Sequence, residues 1–216
     1  MQLHCIACPP TFAGKNIMAI PPVWLFVYIL IFHFLLFGAR SYLLWRRTGT
    51  NPITFRNKDD AHDWNGKLFT FITLMVVLAA AVFAFGCSWY TYLIPIPYLQ
   101  IPMIQLAGWA LMLLALPFIF LAQLQMGDSW RIGIDEQEKT ALATHGIFAF
   151  SRNPIFLGIL VSILGFFMAA PSAFTLLLAG LSYVSIQIQV RLEEAHLREQ
   201  HGAAYRQYCR QVRRWV

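Results

Sequence analysis

Hydrophobic residues in this chain gather into long uncharged blocks separated by short charged segments, with little of the alternation that marks half-buried strands. A block of about 20 mostly apolar residues is enough to cross a bilayer as a helix. The first such block, Ala19 to Gly38, is stopped by Arg40, Arg46 and Arg47. The next, Leu68 to Gly127, is too long for one crossing, and Pro95, Pro97 and Pro102 interrupt its middle. Each proline removes a backbone donor that a helix interior needs, so the pattern predicts a second span near Leu68–Gly86 and a third near Met103–Leu124, with Pro117 as a point of kinking. The last block, Pro154 to Val190, holds 37 residues and would be about 55 Å long as one helix at ~1.5 Å per residue. The run Ala169-Ala170-Pro171-Ser172 breaks it into a tight hairpin of two short helices. Five spans result.

Composition supports that reading. Of the 216 residues 58% are hydrophobic and only 12% charged, where a soluble domain carries roughly a quarter. The predicted class is an all-α polytopic membrane protein with five transmembrane helices. Without an internal repeat or a low-complexity linker, residues 1–216 read as a single membrane domain. Fifteen of the sixteen Lys and Arg residues fall on the segments after spans one, three and five, and Lys15 is the exception. The positive-inside rule then sets the N-terminus outside and the C-terminus in the cytoplasm. The first block is too long, and lacks a small-residue cleavage site, to be a removable signal peptide. It reads as a signal anchor.

The formal charge of +6 fits basic loops facing the cytoplasmic leaflet. No basic patch interleaved with stacking aromatics lies outside the apolar blocks, which excludes nucleic acid as a partner. Cys5 and Cys8 make a lone C-x-x-C without a second pair at zinc spacing, so neither a disulfide framework nor a metal site is predicted. No obligate protein partner is evident. His33, inside the first span, is a functional candidate by position, although a lone histidine more often bonds a neighbouring helix.

All ten acidic residues lie on the predicted cytoplasmic side, and a polar cosubstrate would therefore bind there. The signals are densest in the second cytoplasmic loop and the tail. The loop reads Met126-Gly127-Asp128-Ser129-Trp130-Arg131-Ile132-Gly133, then Thr140-Ala141-Leu142-Ala143-Thr144-His145-Gly146-Ile147-Phe148, and ends Ser151-Arg152-Asn153-Pro154-Ile155-Phe156. Pro154 suits the first turn of a helix. That would place Arg152 and Asn153 at a helix N-terminus on the membrane surface, where free N–H groups favour an anion. The tail opens Arg191-Leu192-Glu193-Glu194 and continues through His201-Gly202-Ala203-Ala204-Tyr205-Arg206-Gln207-Tyr208 to Trp215. Adjacent glutamates at the exit of a span are costly unless solvated or paired.

Taken together, these segments resemble the isoprenylcysteine carboxyl methyltransferases and their relatives the phospholipid methyltransferases. The family pattern is a glycine followed by an aromatic, then Arg-His-Pro-x-Tyr at a span entrance, a helical hairpin, paired glutamates and a Phe-Gly-x-x-Tyr-x-x-Tyr tail. Gly146, Phe148, Arg152-Asn153-Pro154-Ile155-Phe156, Glu193-Glu194 and Gly202 to Tyr208 fill those slots, so the catalytic portion covers about 127–215. The resemblance implies cytoplasmic loops that enclose S-adenosyl-L-methionine. Thr140, Leu142, Ala143, Gly146, Phe148, Arg152, Asn153, Pro154, Phe156 and Glu193 would bind it, while Arg191 and Glu194 are the catalytic candidates, Arg191 reaching the substrate. Asn153 stands where the family has histidine, and Phe148 and Phe156 where it has tyrosines.

The residue chemistry suits that cofactor. An arginine matches its carboxylate, glutamates its ammonium or ribose, and an aromatic its adenine or sulfonium. The methyl acceptor would be hydrophobic or lipid-linked and would enter from the bilayer. A prenylcysteine carboxylate needs no base; an amine or thiol would, with His145 or His196 as options. Two other classes compete: an NADPH-dependent sterol-type reductase, whose relatives generally need more spans, and a non-enzymatic scaffold or transporter, for which repeats or mid-bilayer charges are expected.

Overall fold

The computed structural model describes residues 20–49, 60–86, 88–130 and 141–216. Four helices are long and apolar enough to cross a membrane: α1 (Pro22–Thr48), α2 (Ala61–Phe85), α3 (Pro102–Met126) and α5 (Ala173–Gln211). Between the last two lies α4 (Pro154–Ala169), of 16 residues, about 24 Å long at ~1.5 Å rise. The protein is a multi-pass integral membrane protein.

Local chemistry sets the helix ends. Pro22, Pro102 and Pro154 open their helices at a position where a missing N–H costs nothing. Asp60 caps α2 by accepting from the Asp63 amide at 2.8 Å, and Ser172 with Thr175 forms a capping box on α5. Gly49 ends α1 at a φ of 71°, a left-handed conformation that suits glycine.

The boundaries differ from the sequence expectation in a consistent direction. Charged residues mark where the membrane ends, but they do not stop a helix. Thus α1 runs through Arg40 to Thr48, with a π-helical turn at Phe34–Ala39, and α2 begins seven residues before Leu68. The expected pair of short helices is one short and one long: α5 leaves the uncharged stretch at Val190 and continues outside the membrane, because helix-forming residues follow as far as Gly202. There a φ of 52° with ψ −115° bends it. α3 continues as a helix through Pro117.

α3 and α4 pack most closely. A Cβ added to Gly108 would lie 2.6 Å from the Gly165 carbonyl oxygen, and one added to Gly165 would lie 2.6 Å from that of Gly108. In a membrane, where lipid is as apolar as leucine, such close backbone approach supplies much of the association energy. Polar bonds fix the other helices. Tyr28 donates to the Met112 carbonyl at 2.6 Å, Gln123 Nε2 to that of Leu36 at 3.1 Å, and Asn65 Nδ2 to that of Ser185 at 3.2 Å. At the opposite end, the 88–101 segment is tied to the α4–α5 turn by Ile96 N–H to Pro171 and Ala173 N–H to Ile94.

Candidate functional site

Where α5 emerges from the membrane, its glutamates diverge. Glu194 is 2% exposed and lies among arginines. Arg214 donates to both of its oxygens at 3.0 and 2.8 Å, Arg152 lies 3.1 Å from Oε1 and Arg198 3.5 Å from Oε2. Burial alone would raise this carboxyl's pKa. The Arg214 hydrogen bonds, the charges of Arg152 and Arg214 and the Asn153 amide outweigh burial and hold it below the ordinary carboxylate range. The same contacts draw the last residues over the start of α4. Arg152 N–H donates to the Arg213 carbonyl at 3.0 Å, and Asn153 Nδ2 donates to that of Arg214 at 3.2 Å.

Glu193, one position earlier on the helix, faces two cavities. The first is a cleft of about 600 Å³ at the membrane surface. Leu142, Ala143, Phe148, Arg152, Asn153, Pro154, Phe156 and Glu193 all border it, so the structure brings together most of the cofactor-binding residues expected from the sequence. Thr140 lies outside the described residues. Gly146 does not border the cleft: its φ of 61° turns the chain so that Ile147 N–H reaches Gln125 Oε1 at 2.8 Å, which sets the path toward Phe148. Met126, Ser129, Leu197, Tyr205 and Tyr208 also border the cleft and were not expected there. The tyrosines stand in the tail pattern and had carried only the resemblance. Tyr208 donates to the Phe148 carbonyl at 2.6 Å, and burial raises its phenol to about 12.

The two catalytic candidates are placed differently from expectation. Arg191 borders neither of these two cavities; its guanidinium folds back on the exposed side of α5 to the Gln187 carbonyl at 2.7 Å and Oε1 at 2.8 Å. Glu194 is saturated by arginines and holds the tail in place. His145 is exposed, and neither it nor His196 borders either cavity.

The second cavity, of about 760 Å³, lies among the apolar helices. Leu36, Phe37, Phe69, Ile119 and Ile159 wall it, and Asn65, Gln123, Gln189 and Glu193 supply its polar edge. It shares Met126, Ile155, Phe156 and Glu193 with the cleft. A hydrogen-bonded chain crosses that edge. Ser185 Oγ donates to Asn65 Oδ1 at 2.9 Å, Asn65 Nδ2 to Gln189 Oε1 at 3.0 Å, and Gln189 Nε2 to Glu193 Oε1 at 3.1 Å. Desolvation raises the Glu193 carboxyl to about 7 despite the Gln189 bond. A third, deeper cavity of about 490 Å³ adjoins through Phe37, Phe69 and Ile159. His33 borders it, with Nδ1 2.7 Å from the Ile29 carbonyl.

The cleft at the membrane surface and the cavity among the helices thus lie side by side across a shared wall. Residues 103–204 match the model of the phospholipid methyltransferase family. Over that stretch, from α3 through α4 to the extramembrane part of α5, the chain is similar to the membrane methyltransferases of this family. No curated protein and no solved structure matches it.

Proposed function

We propose that the protein is an S-adenosylmethionine-dependent methyltransferase in which the surface cleft holds the cofactor and the apolar cavity holds the acceptor. The observation that carries this reading is the shared wall: Met126, Ile155, Phe156 and Glu193 border both spaces. A methyl group can pass between two ligands only if they meet in line without water between them.

The residues of the cleft fit the cofactor. Arg152 Nε is buried without a hydrogen-bond partner, whereas its terminal nitrogen is committed to Glu194. A carboxylate in the cleft would satisfy that donor. Phe148, Tyr205 and Tyr208 offer apolar and aromatic surface for a base or a sulfonium. When bound, S-adenosylmethionine supplies an electrophilic methyl group; the protein orients it, keeps water out and positions the acceptor. The Glu194–Arg214 clasp contributes at one remove, by holding Arg152 and Asn153 at the mouth of the cleft.

The acceptor is a hydrophobic, lipid-like molecule that enters from the bilayer. An isoprenylcysteine-like carboxylate, suggested by the motif resemblance, fits the apolar walls and needs no base. The charge distribution supports a cleft that opens to the cytoplasm. Calorimetry on the detergent-purified protein tests the reaction class, with S-adenosylhomocysteine and NADPH as ligands. Saturable binding of S-adenosylhomocysteine alone is expected; binding of NADPH alone would make the protein a reductase.

A further inference from the structure

The membrane-crossing parts of the helices are short. At the cleft end a charged residue bounds four of them: Arg40 in α1, Lys67 in α2, Arg152 just before α4 and Arg191 in α5. Arg40 cannot reach past this boundary, because its guanidinium is held by the Gln123 and Gly127 carbonyls at 3.2 and 2.7 Å. Toward the opposite end, α1 offers residues 22–39, α2 residues 68–85 and α5 residues 173–190, 18 residues in each case. α4 offers 16. At ~1.5 Å per residue these runs are about 24–27 Å long. Tilt, and the π-helical turn in α1, only shorten the distance they span, so that length is a ceiling. α3 is longer, and a longer helix meets the same thickness by tilting.

Backbone sets the opposite boundary. The 88–101 segment is built from two 3₁₀ turns and irregular links, whose N–H and C=O groups cannot lie exposed in hydrocarbon. Ile96 N–H to the Pro171 carbonyl at 3.0 Å and Ala173 N–H to that of Ile94 at 2.8 Å hold it level with the α4–α5 turn. The apolar layer therefore ends there. Trp89, Tyr92 and Tyr98 on this segment are each more than half exposed, and the sequence from Leu68 to Gly127 carries no charge. Such a segment suits the headgroup level, where an aromatic ring and its polar tip are both accommodated. On α1, Trp24 at this end and Tyr42 at the cleft end are also more than half exposed. They stand 18 positions apart, about 27 Å along the axis, and the hydrocarbon lies between them.

We propose that the protein fits a bilayer with a thin hydrocarbon core, at most about 27 Å against about 30 Å in a typical one, and that the 88–101 segment is its interfacial anchor on the face opposite the cleft. The lipid partner is a phospholipid with short or unsaturated chains in a sterol-poor membrane, since sterol-rich bilayers are thicker. In a thicker bilayer the segment's backbone is drawn into hydrocarbon or the lipid thins around the protein, and either lowers stability.

The test is thermal unfolding of the full-length protein, followed by tryptophan fluorescence, in vesicles of dipalmitoleoyl-, dioleoyl-, dieicosenoyl- or dierucoyl-phosphatidylcholine. These lipids share a headgroup and differ in chain length. The midpoint should be highest in one of the two shorter lipids and lower by at least about 4 °C in the dierucoyl lipid. A maximum in either longer lipid, or one midpoint throughout the series, overturns the thin-bilayer fit. Depth is read in dioleoyl vesicles as the difference between wild type and Trp89→Phe in quenching by a headgroup spin label and by lipid brominated near the chain end. The headgroup label should quench the Trp89 signal more strongly. Equal or stronger quenching by bromine would put the segment in hydrocarbon, and quenching by neither would put it in water; both overturn the anchor.

Discussion

Replacing Glu194 by glutamine keeps its shape and removes the charge that gathers Arg152, Arg198 and Arg214. The cost is set by how buried each partner is. Arg152 has a side chain only 10% exposed, and leaving it without a counter-charge falls in the class of broken buried pairs, about 3–5 kcal/mol. Arg198 is more than half exposed and adds roughly 0–1 kcal/mol, and Arg214, a third exposed, is discounted in the same way. A net loss of about 3 kcal/mol follows, or roughly 6–12 °C in Tm at ~2–4 °C per kcal/mol for a chain of this size. The pH dependence has a definite sign. Because the native carboxyl is held below its ordinary value of 4.5, its contribution is present above that value and is lost as pH falls through the depressed native one. Thermal unfolding of wild type and Glu194→Gln, recorded from neutral pH downward, should therefore converge in acid. Hydrogen exchange at the Arg152 amide, bonded to the Arg213 carbonyl, should quicken in the variant as the tail comes away. A variant with wild-type Tm, unchanged Arg152 protection and parallel pH curves would refute the clasp.

Gly165→Leu would drive a side chain against the Gly108 carbonyl and separate α3 from α4, costing about 1–3 kcal/mol or more; Gly180→Ala, where a Cβ meets nothing within 4 Å, should be neutral. Thermal stability of the two purified variants by size-exclusion recovery checks the difference, and equal recovery would mean that the helices are not held by this contact. The charge asymmetry predicts that a C-terminal tag is protected from external protease in intact cells; cleavage there would reverse the orientation.

The candidate site was legible in the sequence where neighbouring residues form it and hidden where distant ones do. The turn from Ser151 to Phe156 is a contiguous segment whose proline fixes a helix start, so Arg152, Asn153 and Phe156 reach one cleft by local geometry alone. Arg191 borders neither cavity for a helical reason: two positions from Glu193 is roughly 200° around the axis, and a residue there points away from whatever Glu193 faces. Glu194, about 100° from Glu193, turns into the arginine clasp. Arg213 and Arg214 gave no sign of this role, since charged residues near a chain end are ordinarily solvated. The apolar cavity was hidden because its walls come from several helices, and its Leu, Ile and Phe residues are the types any membrane helix contains. Yet Asn65, Gln123 and Gln189 are amides at or near the apolar blocks, where an unpaired polar group is expensive. They converge because their hydrogen bonds find partners only across the bundle.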